Sequence, residues 1–235
     1  MKNALLAITA TTLAACAPVA FAGRPLATDD AGVADTGKCQ IEAWFERARG
    51  EHALAAAPAC GVAAGWELGA EVTRDRAQGQ TTHTIGLAAK WVPAAFKFAS
   101  RLGTLNIGLK VAAGRAKAPG TGWRASEHIA LALASLEATP TLAMHLNLGA
   151  TRDAALHANA TLLNAALVWS AGERALLFAE AQGNDRSAVF GGFIRTAGAR
   201  WWLVKDTLGL DLTASRQAGS SSGTRWGIGF GWYGL

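Results

Sequence analysis

The sequence predicts an all-β fold, a single antiparallel transmembrane β-barrel of about twelve strands. Hydrophobic residues make up 51% of the 235 residues and charged residues 17%. After the N-terminus, however, no apolar run is long enough for a spanning helix. Apolar and polar residues alternate instead, as they do in strands whose two faces meet different surroundings. The 27 Gly and 9 Trp against 6 Pro favour strands with tight turns and aromatic girdles.

Residues 1–22 have the anatomy of a secretory signal peptide. Lys2 supplies the positive charge, residues 4–15 the apolar segment, and Ala20-Phe21-Ala22 the small-x-small cleavage site. A lipoprotein-type cleavage before Cys16 is the alternative, and the sequence leaves it open. The predicted organisation is a signal peptide at 1–22, an N-terminal arm at 23–37 and a barrel at 38–235, exported through the periplasm to a bacterial outer membrane.

The arm at residues 23–37 shows no strand or helix periodicity and contains two adjacent acids, Asp29 and Asp30. One hypothesis is that it folds into the barrel as a plug, with the two carboxylates meeting basic side chains of the lumen. The alternative is a solvated tail.

Residues 38–49 and the residues after them predict the first hairpin. One face of the first strand carries Gln40, Glu42, Trp44 and Glu46. A two-residue turn at Arg49-Gly50 would pair residues whose numbers sum to 99, which places Cys39 opposite Cys60. Such a non-hydrogen-bonded pair brings the Cα atoms to about 4.5 Å, within reach of a disulfide in the oxidising periplasm. Two free thiols are the alternative.

Ten further stretches have strand character, which makes twelve strands with the first hairpin. They are residues 63–76, 81–92, 104–116, 123–137, 141–152, 157–170, 174–182, 190–202, 207–216 and 224–235. An even number places both ends of a barrel on the periplasmic side. Two stretches depart from the pattern. Residues 93–103 form a long link, predicted to lie at the membrane surface, and Arg195 and Arg200 have opposite parity, which predicts an ambiguous register or a bulge.

The tryptophans distinguish a membrane barrel from a soluble β-sandwich, which would alternate in the same way. They are Trp44, Trp66, Trp91, Trp123, Trp169, Trp201, Trp202, Trp226 and Trp232. Most lie near predicted strand ends, where the interface belt of a membrane barrel places aromatic rings. Ordinary core aromatics are the alternative.

The N-terminal quarter carries a family resemblance. The segments Arg24-Pro25-Leu26-Ala27-Thr28-Asp29-Asp30-Ala31, Gly37-Lys38-Cys39-Gln40-Ile41-Glu42-Ala43-Trp44 and Pro58-Ala59-Cys60 resemble a family of proteobacterial outer-membrane proteins. That family is grouped with transporters of the meta-cleavage pathway of phenol degradation. The resemblance implies a membrane barrel and the passage of small aromatic or hydrophobic compounds.

If the apolar parity faces lipid, the other parity lines the lumen. The predicted lining residues are Glu42, Glu46, Glu67, Glu71, Lys90, Lys110, His145, Asn147, Glu180, Asp211 and Arg225. Charges of both signs in a narrow lumen tend to pair and brace the barrel; a charge-lined constriction that selects a solute is the other interpretation. Small inward residues leave space for a solute path or for the arm: Ala53, Ala55, Ala57, Ala59, Gly227, Gly229 and Gly231.

The expected function is that of a passive channel for small molecules. A closed structural or adhesion barrel is the alternative. A lipid-modifying enzyme using His145 and Asn147 with Ser126 and His128 is less favoured, because polar residues two apart are ordinary in a lumen. No catalytic residue, cofactor or metal site is predicted, and no basic-aromatic cluster indicates nucleic acid. The expected partners are outer-membrane lipid, a small-molecule solute and the barrel-assembly machinery.

Overall fold

The structure is a computed structural model, which describes residues 26–221 and 223–235. The predicted signal peptide and the alternative site at Cys16 lie outside the described residues. The strands are β1 Cys39–Ala48, β2 Glu51–Ala63, β3 Trp66–Ala77, β4 Gln80–Trp91, β5 Lys97–Ser100, β6 Gly103–Lys117, β7 Arg124–Thr139, β8 Leu142–Asp153, β9 Ala158–Ser170, β10 Ala175–Asn184, β11 Ile194–Val204, β12 Leu208–Gln217 and β13 Thr224–Tyr233. Two short helical turns lie at Ala94–Phe96 and Ser187–Phe190.

Twelve of these strands close into an antiparallel barrel. Each pairs with its neighbour in the chain, β13 pairs with β1, and β4 pairs directly with β6. The short β5 pairs with the first residues of β6 and continues the edge of β4. The predicted barrel of about twelve strands is therefore confirmed. Among the described residues, no helix is long and apolar enough to cross a bilayer.

Both ends of the barrel sequence lie at the same rim. The backbones of Cys39 and Leu235 exchange two hydrogen bonds of 2.9 Å, where β1 begins and the chain ends. We call this rim the terminal end and the opposite rim, which carries the β1–β2, β3–β4 and β6–β7 connections, the loop end. An even strand number produces this arrangement, and it corresponds to a periplasmic terminal end in outer-membrane barrels.

The first hairpin has the predicted register. Cys39 pairs with Cys60 and Ala48 with Glu51, with Gly50 in the left-handed turn conformation at φ 76°. Cys39 and Cys60 form a disulfide with a Cα–Cα distance of 4.0 Å, somewhat closer than the separation expected of such a pair. The disulfide prediction is confirmed.

The two irregular stretches predicted from the sequence, residues 93–103 and the strand with Arg195 and Arg200, have different outcomes. Residues 93–103 contain the turn Ala94–Phe96 and strand β5, all of which is exposed; its relation to a membrane surface stays a prediction. In β11 the pairing with β12 is continuous from Ile194 to Trp202. The register of β11 shifts between Trp202 and Val204. This irregularity does not cause the opposite parity of Arg195 and Arg200, because an odd spacing alone puts the two residues on opposite faces.

The outer wall is apolar, as the alternation predicts. Exposed side chains include Leu54, Leu68, Val72, Leu87, Leu109, Val111, Leu148, Leu163, Leu212 and Ile228. Five tryptophans face outward near the terminal end, namely Trp66, Trp91, Trp169, Trp201 and Trp232, and Trp123 and Trp226 do so near the loop end. The predicted belt is wrong for Trp44 and Trp202, which share the inward parity of Glu42 and Arg200. Trp44 is buried, and the Trp202 ring lies 5.1 Å from the Arg200 guanidinium carbon.

Candidate functional site in the barrel lumen

On one side of the lumen, a network joins inward side chains of four neighbouring strands, β1, β13, β12 and β11. Arg200 on β11 binds Asp211 on β12 through two hydrogen bonds, Nε to Oδ1 at 2.6 Å and Nη2 to Oδ2 at 2.8 Å. Arg200 also donates to the Tyr233 hydroxyl on β13, which donates to the Glu42 carboxylate on β1. We call Glu42, Arg200, Asp211 and Tyr233 the seam network, because it ties together the strands on both sides of the β1–β13 closure.

Nearer the loop end, Arg225 on β13 reaches across the closure to carboxylates on β1 and β2. Its guanidinium lies 2.7 Å from Glu51 and 3.8 Å from Glu46. Both carboxylates and Arg225 are partly accessible, so this cluster is weaker than the buried seam network.

The other side of the lumen is occupied by the N-terminal arm, of which residues 26–37 are described. Thr28 donates its backbone N–H and its hydroxyl to the Glu180 carboxylate on β10, the latter over 2.6 Å. The Ala27 N–H reaches the same carboxylate at 3.2 Å. Leu26 packs against Ala166 and Phe178. The predicted lumen residue Glu180 therefore binds the arm.

Asn147 on β8 holds the next peptide of the arm from both sides. Its side-chain oxygen accepts the Asp29 N–H at 2.8 Å, and its side-chain nitrogen donates to the Asp29 carbonyl at 2.8 Å. Asn147 is 0% exposed. An amide side chain satisfies both backbone groups of one residue in this way, which removes the cost of burying them.

The two arm acids meet the two lysines of the wall. The Asp29 carboxylate lies 2.6 Å from Lys110 Nζ on β6 and 3.9 Å from Lys90 Nζ on β4. Asp30 lies 3.3 Å from Lys90, which also lies 3.6 Å from Glu67 on β3. The structure thus brings the proposed plug residues and the predicted lumen bases together.

The arm then leaves the lumen towards the terminal end. The Ala31 N–H donates to Ser135 Oγ on β7 at 2.7 Å, and Ser135 is 2.8 Å from His145 Nδ1. The Ala34 N–H donates to Glu67 at 2.9 Å. Thr36 forms an isolated bridge with Gly61 on β2, where a Cβ would lie 2.2 Å from the Ala34 carbonyl oxygen. A glycine is required for this close approach.

A hydrophobic layer packs beneath the arm. Ala31 contacts a cluster formed by Ala112, Ile129, Leu131 and Leu133, in which Leu133 is 1% exposed. The inward face of β7 is therefore apolar at mid-height, whereas the facing wall of β1 and β3 is acidic. Sequence reasoning missed this wall and the roles of Ser135, Arg200 and Tyr233.

A cavity remains between the arm and the wall of β1 to β4. Its lining includes Glu42, Glu67, Glu71, Lys90 and Lys110, together with Ala57 and Ala59. Of the small residues of β2, Ala57 and Ala59 therefore border the predicted space, whereas Ala53 and Ala55 are buried and do not line it. The glycines of β13 do not leave the predicted space. Added Cβ atoms would meet Thr213 at Gly227, Trp44 at Gly229 and Tyr233 at Gly231, so neighbouring side chains fill that space.

The four residues of the enzyme hypothesis do not come together. His128 is exposed and pairs with the outward Arg152, and Ser126 shares its parity. His145 and Asn147 face the lumen, where they bind Ser135 and the arm. Within residues 26–221 and 223–235 no group of His, Cys, Asp or Glu side chains could hold a metal ion.

A profile of the family described as "Uncharacterised conserved protein UCP029691" matches residues 9–232. The chain belongs to this family. Comparison with curated proteins gives no match.

Solved structures with a similar fold are outer-membrane barrels. The KdgM porin superposes with a TM-score of 0.62 at 11% identity, covering 82% of this chain and 98% of that chain. The NanC porin gives 0.59 at 6% identity, covering 84% and 98%. Outer membrane phospholipase A from Escherichia coli gives 0.51 at 12% identity, covering 83% and 89%. At these identities the likeness is one of fold, so the chain has the fold of a bacterial outer-membrane barrel.

Proposed function

We propose that this protein is an outer-membrane channel for small solutes, closed by its own N-terminal arm at residues 26–37. The observation that carries the proposal is how the arm is held. Side chains from six strands bind it, namely Glu67, Lys90, Lys110, Ser135, Asn147 and Glu180. These contacts are hydrogen bonds and ion pairs that water could replace, so the arm can leave without unfolding the wall.

The lumen favours neutral or cationic solutes with an apolar part. Inward carboxylates such as Glu67, Glu71 and Glu127 outnumber inward bases in the described residues. The apolar wall of β7, with Ile129 and Leu131, suits an aromatic or aliphatic group. A KdgM structure contains disordered oligogalacturonate, whose sugars each carry a carboxylate. An acidic lumen disfavours such a ligand here.

A static closed barrel is the second candidate. It is supported by the complete burial of Leu133 and Asn147 at the centre of the lumen. The seam network would also be present in a barrel that conducts nothing. The two candidates differ in whether removal of the arm opens a path.

Solute uptake by proteoliposomes tests the proposal. The mature protein and a variant lacking residues 26–34 would be compared in swelling rates with neutral sugars of increasing size, a phenol, an organic cation and an organic anion. We expect the deletion to raise the swelling rates for small neutral and cationic solutes, and to raise the rate for the organic anion less. Equal, background rates for both proteins would favour the static barrel.

A further inference from the structure

We propose that the outer wall at the loop end binds the phosphate groups of a phosphorylated lipid of the outer leaflet. The surface, which we call the basic patch, consists of Arg47, His52, Arg74, Arg76, His83 and Lys117. All six side chains are exposed. Strand parity places them on the outer face, since their neighbours Glu46, Ala53, Asp75 and Thr84 face the lumen.

The basic patch is continuous across five strands. On one row, Arg47 of β1 pairs with His52 of β2, which pairs with Arg76 of β3. On the next row, Arg74 of β3 pairs with His83 of β4, which pairs with Lys117 of β6. Side chains directly opposite each other on one sheet face lie about 4.5–5.5 Å apart at Cβ, so the patch is one surface.

No carboxylate of the described wall neutralises the patch. The salt bridges among the described residues use the inward bases Lys90, Lys110, Arg200 and Arg225. The nearest acids along the same strands face inward. Glu51 binds Arg225, and Asp75 accepts a hydrogen bond from Thr73. Arg74 and Arg76 lie two residues apart on the outer face of β3 and carry like charges, so an external anion would relieve their repulsion.

A second pair of exposed bases lies just beyond β13, the strand that separates the patch strand β1 from β12. Arg195 on β11 pairs directly with Arg216 on β12. Both are exposed on the outer face at the loop end. Two guanidinium groups in direct opposition disfavour the sheet by themselves, but they match a phosphate, which accepts hydrogen bonds from both.

A concave site lies at one end of the basic patch. It is lined by Thr81, His83, Lys117, Trp123 and the turn at residues 118–120. The exposed Trp123 offers an aromatic surface beside the charged groups. Hydrogen-bond donors with an adjacent ring suit a phosphorylated sugar.

The apolar band next to the patch favours a lipid over a soluble phosphate as the ligand, because it can contact acyl chains. On the patch strands, Leu54, Val72 and Ile85 continue the outer face towards the terminal end, and all three are exposed. A ligand with phosphates above and acyl chains below would cover both surfaces. Basic residues next to a bilayer attract anionic lipids in this way.

Native mass spectrometry of the mature protein in detergent tests the proposal. The probes are bisphosphorylated lipid A, dephosphorylated lipid A and inorganic phosphate. The patch variant is Arg74→Gln with Lys117→Gln, and the second variant is Arg195→Gln with Arg216→Gln. The matched control is Lys97→Gln with Arg101→Gln, two exposed bases at the terminal end. Heat-modifiable gel migration would show that each variant is folded.

We expect the patch variant to bind lipid A about tenfold or more weakly than the wild type, because two bases beside an anionic headgroup are lost. The second variant should lose affinity to a smaller extent and the control should not. Dephosphorylated lipid A should bind the wild type as weakly as the patch variant binds lipid A. Three results would overturn the proposal. They are wild-type affinity for lipid A in both double variants, a loss of affinity in the patch variant that is equal for lipid A and for dephosphorylated lipid A, and displacement of lipid A by millimolar phosphate. None of these results bears on the channel.

Discussion

The two sides of the lumen use similar residues for different purposes. The seam network links four strands of the wall to one another through Glu42, Arg200, Asp211 and Tyr233. The contacts around Asp29 and Asn147 instead link the wall to a segment that is not part of it. Breaking the seam network removes hydrogen bonds and ion pairs that join the wall strands at the β1–β13 closure of the sheet. Breaking the contacts around Asp29 and Asn147 releases only the arm.

This difference separates the two interpretations of a charged lumen that the sequence leaves open. A bracing network needs charges of opposite sign on neighbouring strands, as Arg200 and Asp211 are. A removable closure needs its acids on a separate segment and its bases on the wall, as Asp29 and Lys110 are. Both arrangements occur in one barrel, on opposite sides.

The largest expected effect is on the seam network. Replacing Arg200 with Met leaves the buried Asp211 and Glu42 carboxylates without their guanidinium, so we expect a loss of about 3–5 kcal/mol in the free energy of unfolding. Urea unfolding in detergent, followed by tryptophan fluorescence, would measure it. Arg124→Met, at the exposed start of β7, is the control. Its exposed side chain should change stability by less than about 0.5 kcal/mol, and equal effects of the two variants would contradict a bracing role.

The next effect concerns the arm. Asp29→Asn removes the charge that pairs with the buried Lys110, so the arm should detach more often, raising the open fraction in single-channel records by on the order of a hundredfold. Asp30→Asn is the matched control, because the Asp30 side chain is 56% exposed. Its pair with Lys90 is screened, and we expect a change of less than about threefold. Similar open fractions in both variants would argue against Asp29 as the latch.

A smaller effect is expected at Asn147. Asn147→Leu keeps the volume but leaves the Asp29 N–H and carbonyl without partners, which weakens arm docking by about 1–3 kcal/mol. Hydrogen exchange at the Asp29 amide should quicken accordingly. Asn164→Leu is the control, because Asn164 lies directly opposite on β9 and shows no hydrogen bond to the arm in the described residues. Unchanged exchange in Asn147→Leu would mean that the amide does not hold the arm.

The wall follows from the sequence because alternation fixes parity residue by residue. Once Gly50 sets the turn, the sum of 99 gives Cys39 opposite Cys60 and places Glu42 and Glu46 on the inward face. The belt prediction fails for Trp44 and Trp202, because it followed residue type where parity already pointed inward. In those cases parity is the better guide.

The arm could be suspected from the sequence but not traced. It has no periodicity, and its partners are remote in the chain, with Thr28 and Glu180 separated by 152 residues. The apolar inner wall of β7 was missed for another reason. Its inward Leu131 and Leu133 resemble the outward leucines of other strands, so only the pairing identifies their face.

Single-channel conductance in planar bilayers tests most directly whether the arm, and not the wall, closes the lumen. The mature protein would be compared with a variant lacking residues 26–34, which keeps Thr36 at its bridge with Gly61 and the Cys39–Cys60 disulfide. We predict rare, brief openings for the intact protein and a steady, cation-selective conductance for the deletion. A deletion variant that is folded by heat-modifiable migration but as silent as the intact protein would contradict the account.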